Sequence, residues 1–179
     1  MANKKKVVVT GFEPFGEHDV NASWVAVQEL EKLGLDETTD LYVREIPVEY
    51  QAVQGLLPAL WKEHNPQLLS CFTVLHGEWP RLYKISPGHA TICKTLNESN
   101  LGVTLSVSKD AGRYLCDYTY YTSLHLGRGC CAFIHVPPLD KPYSSRDLGR
   151  ALQATILEML QLLEMDHSLD QHCNNRHEH

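Results

Sequence analysis

The sequence predicts an α/β protein, a three-layer α/β/α sandwich built on a mostly parallel, mixed sheet. Short apolar runs rich in β-branched residues alternate along the chain with longer segments whose apolar residues recur at helical spacing. Strands and helices that alternate in this way form a sheet covered by helices on both faces. With 179 residues, of which 43% are hydrophobic, the chain is long enough for one core and too short to predict two domains.

The first half of the chain supplies three strands and two helices. They are a strand over 6–10, a helix over 23–33, a strand over 41–46, a helix over 49–64 and a strand over 67–75. Apolar residues recur every three or four positions in both helices, which predicts one buried face for each. Gly34 is a typical helix stop, and Pro58 inside the second helix predicts a kink.

The second half continues the pattern after an interruption. The predicted elements are a strand over 101–107, a helix containing Cys116, a strand over 130–136 and a helix over 146–164. Residues 76–100 show neither period and contain two prolines, so they are predicted to form a loop or a disrupted element. Residues 166–179 are polar and are predicted to be a disordered tail beyond a single domain over 1–165. The histidines of this tail lack the packed surroundings of a metal site.

Composition argues against several function classes. The chain has 22 acidic and 16 basic residues, a net charge of −6, whereas nucleic-acid binding calls for a basic surface. Its first apolar run is too short for a secretory segment, and no run approaches the ~20 residues that span a bilayer. Six cysteines without C-x-x-C spacing favour reduced thiols over disulfides or a zinc site. A cytosolic protein is the simplest interpretation.

Cys116 and His135 are the strongest candidates for catalytic residues. If the strands over 101–107 and 130–136 are parallel, the helix start at Cys116 and the strand end at His135 lie at the same edge of the sheet. Free N–H groups and the helix dipole stabilise a thiolate at a helix start, and a neighbouring imidazole completes its activation. The alternative is a buried cysteine that packs as a small apolar residue and a histidine that only bonds backbone.

A loop with two aromatic residues follows the first strand. Its sequence is Thr10-Gly-Phe-Glu-Pro-Phe-Gly16, and it is expected to emerge at the same sheet edge, where ligands of open α/β sheets bind. Phe12 and Phe15 suit a small flat ligand, whereas the spacing matches neither the phosphate loop nor the dinucleotide fingerprint. The alternative is that both rings are ordinary core anchors.

Several motifs together resemble the pyroglutamyl-peptidase I family, cytosolic cysteine peptidases that remove an N-terminal pyroglutamyl residue. They are Thr10–Gly16 with Val20-Asn-Ala-Ser-Trp24, Arg44-Glu-Ile-Pro-Val-Glu-Tyr50, Asp110-Ala-Gly-Arg-Tyr-Leu-Cys116 and Phe133-Ile-His-Val-Pro-Pro-Leu139. The resemblance covers 6–69 and 101–164 in the same order. It implies that Cys116 is the nucleophile, that His135 is its base and that Phe12 and Phe15 hold the pyroglutamyl ring. It implies no metal and no cofactor, and peptides with an N-terminal pyroglutamate as the binding partners.

The sequence departs from the family pattern in two places. Glu13 replaces the small residue that the family often has in its first loop, and the segment before Leu101 is shorter than in the family. In the family, this segment supplies a glutamate that orients the histidine, and no motif here matches it. Glu78 is the only acid closely following the third strand and is a candidate by position alone; the alternative is a solvated loop residue. Asp110 and Asp117 are near Cys116 in sequence, which does not establish that they face His135.

The sequence therefore predicts a cysteine exopeptidase, impaired if the third catalytic residue is missing. Two alternatives remain open. One is an inactive family member that at most binds pyroglutamyl peptides, or a variant chain whose altered middle prevents stable folding. The other is a nucleotide-binding protein of flavodoxin-like topology, which the absence of a phosphate loop disfavours.

Overall fold

The computed structural model describes residues 4–16, 19–74, 81–83, 88–127 and 130–174. The strands are β1 (Lys5–Phe12), β2 (Thr39–Ile46), β3 (Leu68–Val74), β4 (Arg81–Tyr83), β5 (Ser106–Ser108) and β6 (Cys131–Val136). The helices are α1 (Ala22–Leu33), α2 (Tyr50–His64), α3 (His89–Glu98), α4 (Leu115–Gly127) and α5 (Ser145–Asn174).

One mixed sheet contains all six described strands. Their order is β2-β1-β3-β6-β4-β5. The first four are parallel to one another, β4 is antiparallel to β6, and β5 is parallel to β4. The predicted α/β class with a mostly parallel sheet is therefore confirmed.

The sheet separates two apolar clusters. Val7 and Val9 of β1 belong to a cluster completed by α1, α3 and α5, whereas Val8 and Phe12 belong to a second one completed by α2 and α4. Alternate residues of one strand thus face opposite sides, as the pleat requires. Because helices bury both faces of the sheet, the molecule has the three layers that the sequence predicts.

The helices end and pack where the sequence supplies the necessary residues. Gly34, with φ 69°, ends α1 and donates its N–H to the Leu30 carbonyl at 2.9 Å. Pro58 lies on the exposed side of α2, which continues through it. A Cβ atom at Gly149 of α5 would come within 2.6 Å of the Glu29 side chain. Only glycine allows α1 and α5 to pack this closely.

The prediction of a loop or disrupted element over 76–100 is wrong for most of its described part. Arg81–Tyr83 forms β4, and His89–Glu98 forms α3, which buries Ile92, Cys93 and Leu96. These apolar residues follow helical spacing over a single short stretch, and the preceding prolines obscured it in the sequence. Residues 75–80 and 84–87, including Pro80, Pro87 and Glu78, lie outside the described part of the chain.

The strand predicted over 101–107 is reduced to β5, and its direction is opposite to the predicted one. The amide and carbonyl of Leu105 bond the Asn97 side chain at 2.7 and 2.8 Å, and Thr104 N–H donates to the Tyr143 hydroxyl at 3.1 Å. Side chains thus satisfy this backbone in place of a strand ladder. The strand β4 lies between β5 and β6 and is parallel to β5 but antiparallel to β6, so β5 is antiparallel to β6 and the predicted parallel crossover is not formed.

The last helix is longer than the sequence predicts. The sequence predicts a helix that ends at residue 164, whereas the backbone of α5 is helical to Asn174. Once a helix is formed, each added residue gains one hydrogen bond and needs no new nucleus, so a polar sequence can extend it. Residues 175–179 lie outside the described part of the chain.

A reciprocal cap begins α5. Ser144 donates its hydroxyl to the Asp147 carboxylate at 2.6 Å, and its oxygen accepts the Asp147 N–H at 3.2 Å. This is a capping box, which satisfies N–H groups that the helix start leaves unpaired. The hydrogen bonds from the Ser144 side chain and backbone lower the pKa of Asp147.

We predict that Ser144→Ala lowers the free energy of unfolding by about 1 kcal/mol at pH 7, as other cap removals do. Because the pKa of Asp147 is lowered, the bond to its carboxylate stabilises the fold near neutral pH and is lost as the pH falls below about 4. Urea denaturation at pH 7 and pH 3 measures both effects. Ser145→Ala, at the next position, is the control. A difference that does not shrink at pH 3 would contradict the assignment.

Candidate active site

The carboxyl ends of β1, β2, β3 and β6 open at one edge of the sheet, because these four strands are parallel. Ligands of open α/β proteins bind at this edge. The loop after β1 begins there, and so does α2, which follows β2. Side chains at the ends of these strands and at the starts of the following helices are therefore placed to contact a ligand.

The loop after β1 is held by a buried network. Asn21 caps α1 by accepting the Ser23 N–H at 3.0 Å, and its amide donates to the Glu13 carbonyl at 2.9 Å. Ser23 donates its hydroxyl to Asn21 at 2.8 Å and accepts the Phe12 N–H at 3.0 Å. A Cβ atom at Gly11 would come within 2.7 Å of the Trp24 backbone, so only glycine allows α1 to approach β1 this closely.

The two aromatic residues of this region are placed differently. Phe12 is 3% exposed and packs in the cluster that α2 and α4 complete. Phe15 is 39% exposed, in the loop beyond the strand. Phe12 is thus a core anchor at the end of β1, whereas Phe15 presents part of its ring to solvent. Residues 17–18 of the loop lie outside the described part of the chain.

Cys116 lies in the first turn of α4, and its side chain is half-buried. Tyr114, just before the helix, accepts the first helical hydrogen bond from the Tyr118 N–H at 3.3 Å. Its φ is 65°, in the left-handed region that non-glycine residues rarely adopt. Such backbone strain is concentrated at functional sites, and here it directs the chain into the helix immediately before the thiol.

His135 is the penultimate residue of β6 and is 1% exposed. Its ring makes an edge contact with Phe133, with 5.2 Å between centroids, and its Nε2 lies 3.2 Å from the carbonyl oxygen of Ala111. Cys131 and Phe133 belong to the cluster of α2 and α4, so alternation directs His135 to the same face. Cys116 packs against that cluster too.

The thiol of Cys116 and the imidazole of His135 also lie at a similar position along the direction of β6. The Cys130 N–H donates to the Gly127 carbonyl at 2.9 Å, so the end of α4 lies beside the start of β6. The two elements run in opposite directions from there, and the ring centroids of Tyr120 and Phe133 are 5.7 Å apart. From this contact, Cys116 is four helical residues, about 6.0 Å, towards the strand end. His135 is two strand residues, about 6.6 Å, in the same direction. The structure thus brings Cys116, His135 and Phe12 to one face and one edge of the sheet.

Glu45, an acidic residue near the end of β2, is not placed to orient His135. Burial raises the pKa of Glu45, and the negative charge of Glu13 raises it further. Glu45 is two residues after Val43, so its side chain lies on the same face of the sheet as those of Leu41 and Val43. His135 lies on the other face. The position of Glu78 falls outside the described residues.

Within the part of the chain that the structure describes, no group of three or more His, Cys, Asp or Glu side chains is arranged to hold a metal ion. None of the described helices is long and apolar enough to cross a membrane.

Sequence reasoning missed three features of the site. These are the Ala111 carbonyl, the left-handed Tyr114 and the network of Asn21 and Ser23. The sequence carried a signal for two of them, since Asn-x-Ser before an apolar helical run is a typical helix start and Asp-x-Gly a typical turn. No propensity indicates a left-handed tyrosine.

Comparisons with known proteins agree on one family. A family model described as pyroglutamyl peptidase matches residues 5–92. Pyroglutamyl-peptidase 1 of Mus musculus is 50% identical over 193 residues, which cover 90% of this chain and 92% of the relative. The Homo sapiens protein of that name is 48% identical over 203 residues, which cover 96% and 97%. Because these alignments are longer than the 179 residues of the chain, they contain positions at which the relative has residues and this chain has none.

Solved structures show the same fold. The pyrrolidone carboxyl peptidase from Thermococcus litoralis superposes with a TM-score of 0.78, covering 90% of this chain and 96% of that one, at 21% identity. The Pyrococcus furiosus enzyme variant E192I superposes with a TM-score of 0.76 at 23% identity, covering 88% and 99%.

We predict that an alkylating reagent near pH 7 labels Cys116 roughly tenfold faster than Cys130, because Cys116 alone of these two half-buried thiols lies at a helix start beside an imidazole. Burial raises the pKa of the Cys93 thiol, which should react more slowly still. Mass spectrometry of digested protein gives each rate. His135→Gln should slow Cys116 and leave Cys130 unchanged. Equal labelling of both cysteines in the folded protein would contradict the pairing.

Proposed function

The chain belongs to the pyroglutamyl peptidase family, and we infer from this membership that it is a cysteine exopeptidase that hydrolyses the bond after an N-terminal pyroglutamyl residue. One observation supports the assignment of this function to particular residues: Cys116 and His135 lie on the same face of the sheet and at a similar position along β6. The substrates are peptides whose first residue is pyroglutamate.

The reaction uses Cys116 as nucleophile and His135 as base and acid. His135 accepts the thiol proton, and the sulfur attacks the carbonyl carbon that joins pyroglutamate to the next residue. His135 then donates that proton to the leaving amine, and an acyl-enzyme remains. Water, activated by His135, attacks the thioester, and pyroglutamate and the free thiol are released. The oxyanion of each tetrahedral intermediate is stabilised by N–H groups of the first turn of α4, which lack acceptors within the helix.

Specificity for the lactam ring comes from the loop after β1. The partly exposed ring of Phe15 supplies an apolar surface, and buried Phe12 forms the wall behind it. The lactam N–H and carbonyl need hydrogen-bond partners once water is excluded, so an open-chain residue without this pattern binds less well. The network of Asn21 and Ser23 holds the backbone of this loop in place before substrate arrives.

The cytosol is the compartment that fits the cysteines. The structure places four cysteines outside disulfides, and two of them are buried: Cys93, Cys116, Cys130 and Cys131. Reduced cysteines persist where thiol-reducing systems operate, and a thiol nucleophile needs that environment.

The second candidate is an inactive or slow family member that binds pyroglutamyl peptides. It is favoured by the gaps in the alignments and by the lack of a motif match for the family's orienting glutamate. A carboxylate beside a catalytic histidine supports the positive charge of the ring, and its loss costs orders of magnitude in rate.

We predict that the purified chain hydrolyses a fluorogenic pyroglutamyl amide and that Cys116→Ser lowers kcat/KM roughly a thousandfold or more, because serine without this activation is a poor nucleophile. Cys130→Ser is the control and should retain activity, because this half-buried thiol lies at the end of α4 opposite to Cys116. Tight binding of a pyroglutamyl peptide without turnover would favour the second candidate.

We also predict that kcat is well below that of mouse pyroglutamyl-peptidase 1 measured in parallel, and that Glu78→Gln leaves the labelling rate of Cys116 unchanged. A histidine without an orienting carboxylate still activates the thiol but turns over slowly. Glutamine keeps the size of glutamate and removes its charge. Activity equal to that of the mouse enzyme and unaffected by Glu78→Gln would refute the impairment.

A further inference from the structure

The contact between His135 and Ala111 determines the tautomer of the imidazole. Nε2 lies 3.2 Å from the Ala111 carbonyl oxygen, and this pair is buried. A carbonyl oxygen can only accept a hydrogen bond, so the nitrogen that faces it carries a proton. In neutral His135 the proton is therefore on Nε2, and the lone pair is on Nδ1.

We propose that the main-chain carbonyl of Ala111 orients His135 and fixes it in the Nε2–H tautomer, with Nδ1 as the atom that exchanges a proton with Cys116. This inference rests on the proposed peptidase function and assigns the orienting role to this chain's own backbone. Ala111 is 8% exposed and packs in the same cluster as Leu115 and Phe133, so its position is fixed relative to both α4 and β6.

Asp110 and Ser108 hold the peptide that presents this carbonyl. The Asp110 carboxylate accepts the Gly112 N–H at 2.9 Å, which closes a turn around Ala111. The Ser108 hydroxyl accepts the Asp110 N–H at 3.3 Å and donates to the Asp110 carbonyl at 3.2 Å. Gly112 completes the turn with a φ of 87°, which disfavours other residues. Asp110 is therefore a positioning residue, which acts on His135 through the Ala111 carbonyl.

The proton transfers of the reaction are consistent with this assignment. The thiol proton of Cys116 moves to Nδ1, and the imidazolium keeps its Nε2–H bonded to the Ala111 carbonyl. The Nδ1 proton then moves to the leaving amine, and the Nε2–H stays in place throughout the cycle. A carbonyl dipole stabilises the imidazolium less than a full negative charge does, so this arrangement supports activation of the thiol and a reduced turnover.

The tautomer is measured directly by two-bond ¹H–¹⁵N correlation NMR of the full chain labelled at histidine, at a pH where the ring is neutral. His135 is assigned by the signal that His135→Gln removes. The inference expects a protonated Nε2 and an unprotonated Nδ1. A ring protonated on Nδ1 would overturn it. Because this measurement needs no turnover, it decides the inference even if the chain fails to hydrolyse a pyroglutamyl amide, a result that would defeat the proposed function instead.

The role of Asp110 is tested by paired substitutions. Asp110→Ala removes the acceptor of the turn and should lower kcat by roughly ten- to a hundredfold with little change in KM, as small displacements of catalytic groups do. It should also weaken the preference for the Nε2–H tautomer. Asp110→Asn keeps an oxygen at the same position and should restore both kcat and the preference for the Nε2–H tautomer.

Asp36→Ala is the matched control, since Asp36 accepts the Thr38 N–H at 3.0 Å in a similar exposed turn between α1 and β2. It should leave kcat and the tautomer unchanged. If Asp110→Ala behaves like Asp36→Ala in both measurements, Asp110 does not position His135 and this part of the inference is refuted.

Discussion

The packing of α4 against β6 is the contact on which the candidate site depends. Phe133 is fully buried, and its ring touches Tyr120 of α4 on one side and His135 of the same strand on the other. These contacts set the height of the helix relative to the strand, and with it the distance between Cys116 and His135. A smaller side chain at Phe133 would therefore move Cys116 and His135 relative to each other as well as open a cavity.

A second constraint acts on the loop that we propose to hold the substrate ring. Asn21 and Ser23 are both buried, and their bonds to the backbone of Phe12 and Glu13 replace water that these groups would otherwise bind. Leaving such buried groups without partners costs about 1–3 kcal/mol each, so the network favours one loop conformation strongly. The sequence that begins α1 thus also fixes the residues at the end of β1, since capping and loop positioning use the same two side chains.

Periodicity predicted the fold class, the positions of four strands and of four helices, because these elements bury apolar residues at regular spacing. It failed at α3, where the signal is one short stretch after prolines, and at Leu105, whose backbone bonds the Asn97 side chain and not a neighbouring strand. Cys116 and His135 were identifiable as candidates from residue type, but the parallel strands that were predicted to bring them to one edge are antiparallel in the structure. The Ala111 carbonyl was not, because a main-chain group has no residue identity and its direction depends on the turn that Asp110 closes.

The direction of β4 has a consequence for the middle of the chain, which we expect from the sequence to be shorter than in the family. Without β4, the carboxyl end of β6 would be a sheet edge with unpaired backbone groups, which invites non-native pairing. β4 covers this edge with only three residues, pairing Arg81 with His135 and Leu82 with Ile134. The backbone of His135 is thus held between β3 on one side and β4 on the other. A segment much shorter than the family's can therefore still keep the histidine in place, provided that it retains this pairing, whereas an orienting carboxylate requires a specific side chain. Loss of the carboxylate with retention of β4 would lower the catalytic rate but preserve the position of the imidazole. In that arrangement a backbone carbonyl can take over the orienting role.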